Sequence, residues 1–134
     1  MPPTIIEPKD LFDAQRFGFS QAVTAKPGRL VAVSGQVAVD QAFQLVGAGD
    51  LVAQTNQALR NVEAALAAAG ATRRDVTRLR VFVVALSLEK AMSAGGVIGE
   101  FFAGQFPAQT MVGVTSLVSP DWLIEIEAEA VVEG

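Results

Sequence analysis

Near the end of the chain three carboxylates alternate with apolar residues, in the order Glu125, Ile126, Glu127, Ala128, Glu129. In a strand this pattern puts all three acids on one face, with neighbours roughly 7 Å apart at about 3.4 Å of rise per residue. Acids held that close and shielded from water suit general acid or base work. An ordinary solvent-facing strand has the same alternation, so spacing alone leaves both readings open.

Two further runs bring polar groups to the end of a strand. Val33-Ser34-Gly35-Gln36 closes an apolar run with a hydroxyl and a glycine, where an exposed backbone N–H can hold an anionic or carbonyl oxygen. A tight turn after a strand reads identically. Pro107-Ala108-Gln109-Thr110 opens a strand with two hydrogen-bonding side chains behind a stiffening proline, as a plain strand entrance also does. Lys9, Lys26 and Lys90 lack the apolar flanks that would fit a lysine for Schiff-base chemistry. Gly47-Ala48-Gly49 precedes a helix as an anion cradle does, but it lacks the phosphate-loop spacing and is followed by Asp50, which would repel phosphate.

Composition narrows the chemistry further. The 134 residues contain no histidine, cysteine or tyrosine, which removes Cys/His zinc sites, thiol nucleophiles, disulfides and the usual Ser/His relays. Carboxylates, Lys, Arg, Ser, Thr and backbone amides remain. Ten Lys and Arg against fourteen Asp and Glu leave a net charge of −4, which opposes binding to a nucleic-acid backbone. Arg73, Arg74, Arg78 and Arg80 form the nearest thing to a basic patch, and with one Trp and no Tyr to stack bases they read as a solvated face. The N-terminal segment does not read as a secretory signal, and no window approaches about 18 uninterrupted apolar residues, so no membrane partner and a cytoplasmic location are expected.

Positioning these residues calls for an α+β order in one domain, residues 1–134, with 1–16 as a partly irregular N-terminal extension. Arg29 to Gly35 reads as a buried strand, and Phe17 to Val23 as a weaker one pairing with it through the Lys26-Pro27-Gly28 turn. Asp50 to Ala69 is the clearest helix, with Val52, Leu59, Val62, Leu66 and Ala69 at helical spacing, Asp50 as its cap and Gly70 at its end. Arg78 to Ser87 reads as a strand with Leu79, Val81 and Val83 on one face. Leu88 to Gly104 reads as a second helix through Leu88, Met92, Phe101 and Phe102, although Gly95 and Gly96 each weaken it by about 1 kcal/mol relative to Ala. Gln109 to Leu117 and Trp122 to Val132 are the last strands, joined around Ser119-Pro120-Asp121. Helices covering one face of a sheet follow from this order.

Several of these runs, taken in order and spacing, resemble the RidA/YjgF family of reactive-intermediate deaminases. They are Gly18-Phe19-Ser20-Gln21-Ala22-Val23, Val33-Ser34-Gly35-Gln36, Gln54 to Val62, Val81-Phe82-Val83, Phe106-Pro107-Ala108 and Ile124-Glu125-Ile126-Glu127-Ala128, spread from about Phe17 to Val132. The resemblance implies a chorismate-mutase-like fold: a mixed β-sheet with two helices on one face. It also implies a homotrimer whose sheets face inward, small-molecule clefts between subunits, no cofactor, and hydrolysis of 2-imino or 2-enamino acids to keto acids and ammonia.

Carried over residue by residue, the resemblance makes Glu125 the glutamate that positions the attacking water, and Ser34 and Gly35 the strand end lining the cleft. Three positions depart from the pattern. Gln109 stands where the family has an Arg holding the substrate carboxylate, Phe19 replaces a Tyr, and a cleft Asn falls at or near Gly95. Thr110 lies beside Gln109 as a further ligand contact. The water-handling side is kept and the carboxylate clamp is not, which implies a ligand less anionic or more apolar than a 2-imino acid. Catalysis with Glu125 as base and metabolite binding without chemistry are both consistent with this pattern. Nuclease activity, a label attached to the family, is opposed by the acidic charge and by the lack of His and Tyr.

Overall fold

Alternating apolar side chains set the strands. The computed structural model describes residues 2–134. β3 (Arg29–Gln36), β4 (Val76–Val84) and β6 (Ile124–Val132) each turn one face inward. Val31, Val33, Val76, Leu79, Val81, Val83, Ile124, Ile126, Ala128 and Ala130 are all buried there. Preceding them are the short strands β1 (Thr4–Ile6) and β2 (Ala22–Thr24), and β5 (Ala108–Val114) lies between β4 and β6 in sequence. The main sheet has the order β3-β6-β4-β5, antiparallel except for the parallel β4–β5 pair.

Both helices cover the inward face. α1 (Leu51–Ala68) starts at Asp50, whose carboxylate accepts the Ala53 N–H at 3.0 Å, and Gly70 follows its last turn at φ +79°. Leu59, Val62 and Leu66 sit against the sheet, whereas Val52 is exposed. α2 (Leu88–Phe102) is capped by Ser87 and runs unbroken through Gly95 and Gly96. Its buried face is Ala94, Ile98 and Phe102; Leu88 and Met92, expected on that face, are 79% and 71% exposed. The helix is rotated so that Ala94, Ile98 and Phe102 meet the core and Gly99 meets the neighbouring turn at Gly18, leaving Leu88 and Met92 outside.

One expected pairing is corrected. The segment beginning at Phe17 does not form a hairpin with Arg29 to Gly35: residues Ala14–Phe17 make a 3-10 turn, and β2 pairs with β1 instead. The cause is Ser20, which is buried and anchored elsewhere. Its N–H donates to the Pro107 carbonyl at 3.0 Å and its Oγ to the Phe106 carbonyl at 2.6 Å. That anchor ties the segment to the entrance of β5, at the opposite edge of the sheet from β3. β1 also gives the N-terminal extension regular structure. Among the described residues, no helix is long and apolar enough to cross a membrane.

Candidate functional site

β5 carries Gln109 to the helix side of the sheet. Its register partner is Leu79, a fully buried core residue, and parallel partners share a face. There Gln109 lines a pocket of about 560 Å³ with Phe19, Met92, Gly95, Phe106 and Met111. The pocket exists because the turn before β2 meets α2 glycine to glycine: a Cβ on Gly18 would stand 3.2 Å from the Gly99 α-carbon, and Gly18 is in the left-handed region at φ +80°. At Gly95 and Gly96 a Cβ would meet nothing within 4 Å, so neither glycine is required by packing. Among the described residues the Gln109 side chain has no hydrogen-bond partner, and its Oε1 is buried without one.

The opposite face of the sheet holds the acids. Glu125, Glu127 and Glu129 pair in register with Phe82, Arg80 and Arg78, and Thr110 is level with Arg80 on that face. Arg80 donates to Glu127 at 3.0 Å and to Glu129 at 3.1 Å. The hydrogen bond to Glu127, then that to Glu129, raises the guanidinium above its ordinary pKa. Glu125 is left outside this pairing. A register shift between Val33 and Gln36 displaces Ser34 and Gly35 from the regular ladder, and Gly35 receives the Glu125 carboxylate: a Cβ there would overlap Oε2 and stand 2.7 Å from Cδ.

The site residues foreseen in the sequence therefore fall into two groups. Phe19, Gly95 and Gln109 share the pocket, while Ser34, Gly35, Thr110 and Glu125 belong to the open face. Sequence reasoning missed Leu88 and Met92 as pocket residues, because their apolar character was assigned to the buried face of the helix, and Phe17, because it was placed at the start of a strand. It also missed the partners of two arginines. Arg80 is held by the acids, and Arg73 binds Glu63 and the Phe101 carbonyl with its guanidinium 4.0 Å from the Phe101 ring centroid. The alternation of Arg78 and Arg80 against that of Glu127 and Glu129 is the signal that would have paired the strands.

Two helices packed on one face of a mixed sheet, with an edge pocket and a glutamate-bearing open face, define a class of small α+β proteins. The sequence model of the family described as Endoribonuclease L-PSP matches residues 13–132, so the chain belongs to this family, that of YjgF and RidA. The structure is similar to the Rid-family protein YyfB from Yersinia pestis, described as of unknown function, with a TM-score of 0.94 and 42% identity over 98% of this chain and 100% of that one. Among curated relatives, the 3-aminoacrylate deaminase RutC of Acinetobacter baylyi is 36% identical over 78% of this chain and 81% of its own. The 2-iminobutanoate/2-iminopropanoate deaminase of Dermatophagoides farinae is 32% identical over 86% of each.

Proposed function

We propose that this chain is a homotrimeric, cofactor-independent hydrolase of a neutral imine, enamine or related reactive small molecule, with Glu125 as the water-activating base. Gln109 carries the reading: an amide without a partner, in an apolar pocket, where the family resemblance puts a carboxylate-binding Arg. An amide supplies hydrogen bonds but no charge, so an anionic 2-imino acid loses its bidentate charged partner here. In the reaction Glu125 takes a proton from water as the water oxygen bonds to the imine carbon. That proton passes to nitrogen to give a carbinolamine; a second proton then moves from its hydroxyl to nitrogen by way of Glu125 as C=O forms and the C–N bond breaks, releasing ammonia and the carbonyl product.

Within one chain Gln109 and Glu125 lie on opposite faces of the sheet. The reading therefore needs assembly, in which one copy's Glu125 serves a neighbour's pocket. Leu30, 66% exposed, and Val112, 40% exposed, give the open face the apolar surface that such an assembly covers. A cytoplasmic location, with neither nucleic acid nor membrane as partner, belongs to the same reading. RNA cleavage finds no support in a chain without His or Tyr, two of whose clustered arginines are bound to carboxylates.

The separation of Gln109 from Glu125 also favours a second reading, a trimer that binds a metabolite without chemistry. Assay of neutral imines and enamines generated in situ decides between them. Glu125→Gln is expected to abolish turnover while light scattering shows the trimer mass unchanged. Full activity in that variant removes Glu125 from the mechanism, and saturable binding without product across the panel establishes the second reading. Little hydrolysis of 2-iminopropanoate or 2-iminobutanoate is expected, and robust activity would show that Gln109 replaces the guanidinium.

A further inference from the structure

Two glutamines whose amide oxygens are buried behave in opposite ways. Gln54 is fully buried and its amide is saturated, donating to the Gly47 and Asp121 carbonyls at 3.1 Å each and accepting the Leu123 N–H at 2.9 Å. Gln109 makes none of these bonds, and its oxygen is buried without a partner. More than about nine in ten buried polar atoms in native proteins are paired, and leaving one unpaired costs about 1–3 kcal/mol. Such an exception in a pocket wall calls for a partner from outside the chain.

We propose that the pocket between α2 and β5 recognises a neutral ligand through an amide-like edge, one N–H donor beside one C=O acceptor, with the remainder of the ligand apolar. This rests on the reading of the Gln109 pocket as the ligand site. A primary amide presents a donor and an acceptor side by side, and its complement is the same pair reversed, the geometry by which Gln reads the N6/N7 edge of adenine. Rotation about the last side-chain torsion brings the oxygen out beside the nitrogen. A carboxylate offers acceptors only: it satisfies the amide nitrogen and sets its charge against Oε1.

The rest of the lining agrees. Phe19, Met92, Phe106 and Met111 are apolar or aromatic. The charged residues of the lining, Arg16 and Glu100, are both exposed and of opposite sign, so neither charge prevails. Gly95 and Gly96 leave the α2 wall flat where side chains would fit, at a cost in helix propensity of about 1 kcal/mol each. A flat wall facing aromatic rings accommodates a planar apolar group. The volume of about 560 Å³ falls within the range of small-molecule sites.

Phenylacetamide and phenylacetate have nearly the same shape and differ at this edge. With the intact assembly, calorimetry and ligand-observed NMR are expected to show phenylacetamide binding at least about tenfold more tightly. The Gln109 side-chain amide resonances should shift on titration, and Gln109→Met should erase the preference. Phenylacetate binding equally or more tightly, or an amide preference unchanged in Gln109→Met, overturns the proposal. If phenylacetate binding is nonetheless lost in that variant, the pocket stands as the ligand site and only the edge is wrong. Failure of both probes to bind saturably overturns the edge and the pocket together.

Discussion

The carboxylate of Glu125 lies against the α-carbon of Gly35, closely enough that a Cβ at that position would stand 2.7 Å from Cδ and 2.8 Å from Cγ. Two strands and a break in their pairing create this contact. Glu125 sits near the start of β6, and the register shift between Val33 and Gln36 brings the backbone of β3 beneath it. Glycine is the one residue type that leaves the carboxylate in place.

Gly35→Ala should therefore move the acid without unfolding the protein. Gly35 is outside the left-handed region, and the clashing atoms end a flexible side chain, so the stability cost should stay under about 1 kcal/mol. With Glu125 as the base of the proposed reaction, turnover should fall by at least about tenfold, since small misplacement of such a group is costly. Steady-state kinetics beside a denaturant melt separates the two effects.

The contrast between the two glutamines predicts stability changes of opposite sign. Gln54→Met orphans the Asp121 carbonyl and the Leu123 N–H and leaves the Gly47 carbonyl with the Asp50 N–H alone. It should destabilise by about 3 kcal/mol or more. Gln109→Met removes an unpaired oxygen and should stabilise by about 1 kcal/mol. Urea unfolding of both variants provides the measurement.

Ser20 holds the N-terminal segment to the β5 entrance through the Phe106 carbonyl and also accepts from Gln15 Nε2 at 2.9 Å. Ser20→Ala should cost about 1–2 kcal/mol. Amide hydrogen exchange at Ser20, whose N–H bonds Pro107, should speed up before that of the β4 core.

Gly95 offers a gain of stability that costs function. With no atom within 4 Å of its Cβ position, Gly95→Ala should stabilise α2 by up to about 1 kcal/mol. Gly95→Leu should keep the fold and fill the pocket. Thermal melts should show retained or raised stability for both variants, and ligand titration should show binding lost in the leucine variant.

Much of the fold was legible because it is local. The burial alternation of β4 and β6 and the cap at Asp50 depend on neighbours in sequence, and all appear where the residue pattern puts them. Leu88 and Met92 misled because periodicity reports an apolar stripe without saying what covers it. The hairpin at Lys26-Pro27-Gly28 misled because turn chemistry permits a pairing that the distant anchor of Ser20 to Phe106 overrides.

By itself the sequence determined the α+β class, the family pattern and the alternation of acids along the last strand. These rest on residue identity and short-range periodicity. Only the tertiary structure decided that β5 joins the sheet parallel to β4, and that this turns Gln109 toward α2 while Thr110 faces the acids. It likewise decided that Arg80 pairs with Glu127 and Glu129 and leaves Glu125 to Gly35. Strand order and register are set by contacts far apart along the chain, and a residue's place on one face or the other follows from them.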